Sequence, residues 1–133
     1  MYAIDRGNVP EYQDGIDALV YLVTDIERLI AMGLTVLTTD RNAVLDYASF
    51  ATGSDGLDPG VDWQLMRRRM WNSTPEEPDR MERRMAECLV YELVPWEAFT
   101  SIYVRNEARR QQASSLLASA KAPPIHVSRS MYF

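Results

Sequence analysis

Short apolar runs separated by turn-rich segments account for most of this chain. The run ALVYLVT, residues 18–24, is apolar on both faces, which is typical of a central strand. Runs rich in β-branched and aromatic residues predict further strands at 34–39, 86–94, 101–105 and 125–127. Because strands outnumber clear helices and follow a mixed order, the pattern predicts an α+β fold.

Helical periodicity is confined to brief segments. Ile26, Leu29 and Ile30 have i, i+3, i+4 spacing after Asp25, which predicts a capped helix that stops at Gly33. Further helical segments are predicted at 41–50 after a cap at Thr39 or Asp40, at 61–71 as a short helix or turn, and at about 106–120. Loops are predicted at 7–17, 52–60 and 72–79 from their proline, glycine and aspartate content.

The composition indicates one globular domain, residues 1–133. Hydrophobic residues make up 47% of the chain and charged residues 25%, which argues against disorder. Cys88 and His126 are the only residues of their types, so a disulfide framework and a multi-Cys or multi-His metal site are excluded, and no metal is expected. No apolar run approaches the roughly 20 residues of a membrane helix. The first residues lack a signal-peptide pattern, so we expect a cytoplasmic protein.

Arginines are concentrated between residues 67 and 84, although the net charge of −5 argues against a strongly basic surface. Six lie there, at positions 67, 68, 69, 80, 83 and 84. Met66, Met70, Trp71 and Met81 are interspersed among them. Arginines for phosphates beside aromatic side chains for bases are typical of single-strand binding. An ordinary solvated surface is the alternative.

One carboxylate stands where the strand pattern does not require it. Glu87 follows Arg83 and Arg84 and precedes the apolar residues 88–90. A structural ion pair with these arginines is one interpretation. The other is a carboxylate held at a sheet edge, where it accepts a proton or stabilises a developing cation. The TTDRNA segment, residues 38–43, leaves a similar choice between helix capping and chemistry.

Six segments of the chain form a specific set, although each alone is weak. They are MYAIDRGN with EYQ, LVYLVTDIERLIAMGL, LTTDRNAVLDYASF, VDWQLMRRRMW, RRMAECLVYELVPW and SMYF. In this order they resemble the C-terminal two-thirds of DarT, the DNA ADP-ribosyltransferase toxins of bacterial toxin–antitoxin systems. The resemblance covers essentially all 133 residues. It implies an ADP-ribosyltransferase-like mixed β core with short flanking helices.

The resemblance also implies a reaction and a catalytic residue. DarT enzymes use NAD as co-substrate to attach ADP-ribose to thymine in single-stranded DNA, and they release nicotinamide. The family's R-x-A-E-[FC]-L-V element matches the residues from Arg84 to Val90. By this match Glu87 takes the catalytic role, as base on the thymine nitrogen and as anchor for the NAD ribose.

Contacts to DNA are implied in two further segments. The residues expected to contact DNA are Arg41, Asn42, Trp71, Arg80, Arg83 and Arg84. Trp71 is a candidate for stacking on a base, and the arginines for phosphate or base contacts. Where many relatives have a histidine, this chain has Asn42, which hydrogen-bonds a base edge but transfers no proton at neutral pH.

The family's first third, which carries its NAD-binding residues, has no counterpart in this chain. The first residues, MYAI, match the interior of a strand in relatives. We therefore expect an N-terminally truncated form that has weak or no transferase activity alone. Two alternatives stay open: an inactive remnant that binds single-stranded DNA or a DarG-like antitoxin, and a product that does not fold stably.

Overall fold

The computed structural model describes residues 14–54 and 60–132. The strands are β1 (Tyr21–Val23), β2 (Val36–Thr39), β3 (Phe50–Thr52), β4 (Cys88–Val90), β5 (Ser101–Val104) and β6 (Ile125–Val127). The α-helices are α1 (Ile26–Ala31), α2 (Trp63–Met66), α3 (Arg80–Arg83) and α4 (Glu107–Leu116). Single 3-10 turns form at Ile16–Ala18, Trp96–Ala98 and Arg129–Met131. Two compact units result: a central unit of residues 25–54 and 60–94, and a terminal unit of residues 14–24 and 95–132.

The central unit contains an antiparallel sheet of order β3-β2-β4. Leu37 of β2 lies opposite Thr52 of β3 on one side and opposite Leu89 of β4 on the other. Val36 and Thr39, the two ends of β2, are both buried. The strand predicted at 34–39 is therefore the middle strand of this sheet, and its last residue is held from both sides.

Helix α1 begins where the sequence predicts a cap. The Asp25 carboxylate accepts a hydrogen bond from the Arg28 N–H at 2.7 Å, as an N-cap aspartate does. Leu29 is buried, and α1 lies against β2. The chain leaves the helix through Gly33, whose φ of 80° lies in the left-handed region that glycine adopts without strain. The helix predicted after Asp25 is confirmed.

Residues 41–49 form turns, so the helix predicted at 41–50 is wrong. The Asp40 Oδ1 accepts a hydrogen bond from the Ser49 N–H at 2.8 Å. The Asn42 Oδ1 accepts one from the Val44 N–H at 3.1 Å. These side-chain oxygens replace the carbonyl acceptors of a helix, and this is how Asp and Asn favour turns.

Helices α2 and α3 are short and enclose an irregular segment. The Asp62 Oδ1 caps α2 by accepting a hydrogen bond from the Leu65 N–H at 2.9 Å. Residues 72–79 contain no helix or strand, which confirms the loop predicted from the two prolines. Helix α3 was not predicted, because four residues are too few for a helical period to show.

The terminal unit contains a second sheet, of order β1-β5-β6. Its middle strand, β5, pairs antiparallel with β1 and parallel with β6, so that Ile102 lies opposite both Leu22 and Ile125. Ile102 and Val104 are buried. Helix α4 follows β5 and is capped by Asn106, whose side chain accepts a hydrogen bond from the Arg109 N–H at 3.0 Å.

Two strands are more exposed than their apolar sequences suggest. Among the described strands β1, which lies in the central strand predicted at 18–24, pairs only with β5, and Leu22 is 44% exposed. Cys88 and Leu89 of β4 are also exposed. An apolar run does not determine a strand's place in a sheet, because its partners come from distant parts of the chain. The α+β class with short helices is confirmed.

Candidate active site

The backbone of Glu87 is bonded to the end of β2. Its N–H donates a hydrogen bond to the Thr39 hydroxyl oxygen at 2.8 Å, and its carbonyl oxygen accepts one from the Thr39 N–H at 2.9 Å. Thr39 is only 1% exposed, so these bonds are shielded from water. The sheet therefore holds the Glu87 backbone just before β4, while the residue itself is exposed at the surface.

A backbone amide, and not an arginine, binds the Glu87 carboxylate. Its Oε2 accepts a hydrogen bond from the Ala43 N–H at 3.0 Å. No ion pair of the described residues includes Glu87. This geometry does not support the structural ion pair with Arg83 or Arg84. Since a carboxylate offers about four acceptor positions, one amide contact leaves capacity for a substrate.

Asp40 and Arg41 form an ion pair at the start of the turn segment 40–49. The Arg41 Nη2 lies 2.9 Å from the Asp40 Oδ2, and its guanidinium lies over the Tyr47 ring, 5.2 Å from the centroid. Partial burial opposes ionisation of Asp40, but the hydrogen bonds from Arg41 and from the Ser49 N–H outweigh it and lower the pKa of this carboxyl. The pair thus fixes the turn at the end of β2.

Asn42 is attached to the residues around Glu87 through its main chain. Its N–H donates to the Glu82 carbonyl oxygen at 3.1 Å, and its side-chain oxygen closes the turn onto Val44. The next residue, Ala43, supplies the amide that binds Glu87. The structure therefore brings Asn42 and Arg41 into the segment that contacts the Glu87 carboxylate.

Arg84 is buried and organises the backbone around α2. Its Nη1 donates to the carbonyl oxygens of Leu65 and Met70 at 3.2 Å each and to that of Arg68, while its Nη2 donates to the Met66 carbonyl oxygen at 3.4 Å. The planar guanidinium, with five donors, suits such a set of acceptors. Burial, and secondarily the positive charge of a neighbouring arginine, lowers the pKa of Arg84.

Trp71 is held by this same arginine. The Arg84 guanidinium lies over the Trp71 ring at 4.2 Å from its centroid, a cation–π arrangement. Trp71 is nevertheless 41% exposed. An aromatic ring that is both fixed and accessible has the properties of a stacking surface for a nucleic-acid base.

Arg80 and Arg83 of α3 face carboxylates of the segment before α3 and of the α2 cap. Arg80 is buried and pairs with Glu77. The Arg83 Nη1 lies 2.6 Å from the Asp62 Oδ2, and its Nε lies 3.1 Å from the Asp79 Oδ2. The hydrogen bond from Arg80 is the main cause of the lowered pKa of Glu77. Both arginines therefore brace the loop before β4.

The predicted site residues fall into two groups within the central unit. The first group is Glu87, Arg41 and Asn42, and the second is Trp71, Arg80, Arg83 and Arg84. The sequence analysis did not identify the bracing residues Thr39, Tyr47, Asp62, Glu77 and Glu82. Asp62 had a recognisable signal, since it stands at the start of a segment predicted as a helix or turn. Thr39, Tyr47 and Glu82 had none, because each bonds to a residue that is distant in sequence.

The described residues form neither a metal-binding cluster nor a membrane-spanning helix. In the ranges 14–54 and 60–132, no three or more His, Cys, Asp or Glu side chains come together in a metal-binding arrangement. In the same ranges, every helix is too short or too polar to cross a membrane.

The family model described as "ssDNA thymidine ADP-ribosyltransferase, DarT" matches residues 1–133. The chain belongs to the DarT family. The DNA ADP-ribosyl transferase of Mycobacterium tuberculosis (strain ATCC 25618 / H37Rv) is 32% identical over 117 residues, which are 88% of this chain and 50% of that protein. That of Thermus sp. (strain 2.9) is 29% identical over an alignment of 136 positions, which covers 100% of this chain and 63% of that protein.

Solved DarT structures share this fold. Thermus sp. 2.9 DarT in complex with NAD+ superposes with a TM-score of 0.89 at 28% identity, covering 99% of this chain and 66% of that one. Thermus sp. 2.9 DarT in complex with ADP-ribosylated ssDNA also gives 0.89 at 28% identity, covering 99% and 62%. The chain thus spans between half and two thirds of the length of these DarT relatives.

Proposed function

We propose that the protein containing this chain transfers ADP-ribose from NAD to a thymine base in single-stranded DNA, with Glu87 as the catalytic residue. The observation that carries the proposal is Glu87, an exposed residue whose backbone is bonded to Thr39, whose carboxylate accepts a hydrogen bond from the Ala43 N–H, and which has no ion pair among the described residues. DarT membership and the two Thermus complexes support the choice of NAD and DNA.

In the proposed reaction, Glu87 accepts a proton and stabilises a developing positive charge. The bond between the ribose carbon and nicotinamide breaks, and its electron pair leaves with nicotinamide. A thymine nitrogen forms the new bond to this carbon and gives its proton to the Glu87 carboxylate. The same carboxylate accepts a hydrogen bond from the NAD ribose and stabilises the cationic character that develops on it.

The residues proposed to contact DNA differ in how accessible their side chains are. Trp71 stacks on a base, and Arg41 and Asn42 lie beside Glu87, where they reach the target nucleotide. The contacts of Arg80, Arg83 and Arg84 within the protein favour a supporting role for them, which shapes the loop that presents Trp71. Direct phosphate contacts by these three arginines stay a prediction.

The test is a transfer assay on two proteins: the 133-residue chain, and a fusion in which it replaces the matching part of Thermus sp. 2.9 DarT. Each is incubated with NAD and a single-stranded oligonucleotide that contains or lacks thymine. Intact mass of the oligonucleotide and release of nicotinamide are measured. We expect the fusion to modify only the thymine-containing strand, and the chain alone to show weak or no transfer.

Variants of the fusion assign the reaction to Glu87. Glu87→Gln keeps the size of the side chain, and we expect it to lower transfer by at least about 100-fold, the usual contribution of a general base. Glu92→Gln, an exposed glutamate five positions later, serves as the matched control and leaves the rate unchanged. A fusion that melts cooperatively but modifies no DNA, or an active Glu87→Gln variant, contradicts the proposal.

DNA binding without transfer is the second candidate function, and the accessible Trp71 ring held by Arg84 favours it. This function is supported if the 133-residue chain binds single-stranded DNA in a salt-sensitive way while the fusion transfers no ADP-ribose. A DarG-like antitoxin as a further partner, which rests on the family resemblance, and a cytoplasmic location complete the proposal.

A further inference from the structure

We propose that Thr39 is a positioning residue for Glu87, and that its hydroxyl joins the catalytic carboxylate and the turn containing Asn42 into one hydrogen-bonded unit. This inference rests on the proposed function of Glu87. It concerns a side chain that contacts neither NAD nor DNA in the proposed mechanism and acts through Glu87.

The Thr39 hydroxyl hydrogen-bonds to two different segments of the chain. Its Oγ1 donates a hydrogen bond to the Arg41 carbonyl oxygen at 2.6 Å and accepts one from the Glu87 N–H at 2.8 Å. Two residues beyond Arg41, the Ala43 N–H donates to the Glu87 Oε2 at 3.0 Å. Thr39, the turn and Glu87 therefore close a ring of hydrogen bonds that begins and ends on Glu87.

Burial and side-chain shape make Thr39 a fixed point in this ring. The residue is 1% exposed, so water does not readily replace a lost hydroxyl. Its branched Cβ restricts the side-chain rotamers, which keeps Oγ1 aimed at both partners. The end of β2 is in turn paired with the residues at the start of β4.

The ring has a consequence for the proposed reaction. The position of the proton-accepting carboxylate and that of Asn42, beside the target base, are set by the same bonds. Loss of the Thr39 hydroxyl releases the Arg41 carbonyl, which loosens the turn and with it the Ala43 N–H. Of these bonds Glu87 keeps the one between its carbonyl oxygen and the Thr39 N–H, and misplacement of its carboxylate by about 1 Å costs up to about 100-fold in rate.

The first test measures hydrogen exchange of the Ala43 amide by NMR in the 133-residue chain, which needs no activity. We expect Thr39→Val to expose this amide to exchange several-fold faster, to the level found in Glu87→Ala. Thr39→Ser, which keeps the hydroxyl, restores most of the protection. Thr38→Val is the matched control, since Thr38 is also buried in β2 but its hydroxyl donates to the Ala51 carbonyl oxygen, at 3.4 Å, on the neighbouring strand β3.

The second test measures transfer by the fusion described above. We expect Thr39→Val to lower kcat by about 10- to 100-fold while KM for NAD changes less than about twofold, and Thr39→Ser to recover most of kcat. Equal loss from Thr38→Val, or unchanged Ala43 exchange in a Thr39→Val chain that melts cooperatively, overturns the inference. If Thr39→Val does not fold, Thr39→Ala is compared with Thr39→Ser in the same way.

The two tests separate this inference from the proposed function. An inactive wild-type fusion contradicts the proposed function but leaves the exchange measurement to decide whether Thr39 positions Glu87. An active fusion with normal kcat in Thr39→Val contradicts the positioning role and leaves Glu87 as the catalytic residue.

Discussion

At the scale of single residues, what distinguishes Glu87 is how it is held. Arg83 and Arg84, its near neighbours in sequence, turn to Asp62 and to backbone carbonyls instead. Glu87 is bound by main-chain amides and a buried hydroxyl through Ala43 and Thr39. A carboxylate fixed by neutral donors keeps its full charge available to a substrate, whereas an ion pair would neutralise it.

A second carboxylate, Asp40, makes the turn beside Glu87 sensitive to pH. Its pKa is lowered in the folded state, so its ionised form stabilises the fold above the unfolded-state pKa, and this contribution is lost as the pH falls through the folded pKa. We expect the melting temperature of the wild type to exceed that of Asp40→Asn near neutral pH. The difference should shrink below about pH 4.

Arg41→Gln provides the comparison for this pH profile. It removes the charge that pairs with Asp40 but leaves the hydrogen bond from the Ser49 N–H. We expect the melting temperature of Arg41→Gln to depend less on pH than that of the wild type. The change should be smaller than the change caused by Asp40→Asn. A difference between wild type and Asp40→Asn that stays constant from neutral pH to acid would show that the ionised Asp40 does not stabilise the turn.

At the scale of elements, a buried arginine takes the place of regular structure around α2. Residues 67–79 contain no helix or strand, so their backbone groups need other partners. Arg84 supplies hydrogen bonds to four carbonyl oxygens from Leu65 to Met70 and stacks on Trp71. One side chain from the end of α3 therefore determines the shape of the loop before it.

Replacing Arg84 tests this role. Arg84→Lys keeps the charge but loses the planar set of donors, so several carbonyl oxygens, among them that of the buried Leu65, lose their partner. We expect the free energy of unfolding to fall by about 2 kcal/mol, measured by urea denaturation. Arg69→Lys, at an exposed position of the same segment, should change it by less than about 0.5 kcal/mol. Equal effects of the two substitutions would contradict the organising role of Arg84.

At the scale of the molecule, every predicted site residue lies in the central unit. The terminal unit builds its own sheet from β1, β5 and β6 and contributes none of them. The whole chain nevertheless matches the DarT family over residues 1–133, and it corresponds to between half and two thirds of the relatives' length. The single domain expected from composition stays a prediction.

Binding of single-stranded DNA is the property that the whole chain can be tested for directly. Stacking of a base on Trp71 predicts that Trp71→Ala weakens binding by about 5- to 150-fold, from about 1 to 3 kcal/mol per stacked base. Fluorescence anisotropy with a labelled oligonucleotide at several salt concentrations measures this. The salt dependence of the affinity should stay unchanged, because no phosphate contact is removed.

Trp71→Phe is the control for this experiment. It keeps an aromatic ring for the base and for the Arg84 guanidinium, so most of the affinity should be retained. If Trp71→Ala binds DNA within about twofold of the wild type, the stacking role is refuted. A reduced salt dependence would instead indicate that the substitution displaced arginines that contact phosphates.

Local chemistry predicted several elements of the fold correctly. Helix α1 begins after Asp25 and ends before Gly33, as capping rules require. The prolines of residues 72–79 exclude regular structure there. The helix predicted at 41–50 failed because Asp40 and Asn42 bond to nearby backbone groups instead. These side-chain bonds form only when Ser49 and β3 are correctly placed. The helical spacing of apolar residues gives no information on that placement.

The amino-acid sequence by itself determined the α+β class and the family, since these depend on local patterns and on motifs in order, and the same motifs led to the proposal that Glu87 is catalytic. Only the tertiary structure decided that Glu87 is held by Thr39 and Ala43, and that Arg84 is buried beneath Trp71. The physical reason is the separation along the chain. Thr39 and Glu87 are 48 residues apart and meet only because β2 pairs with β4.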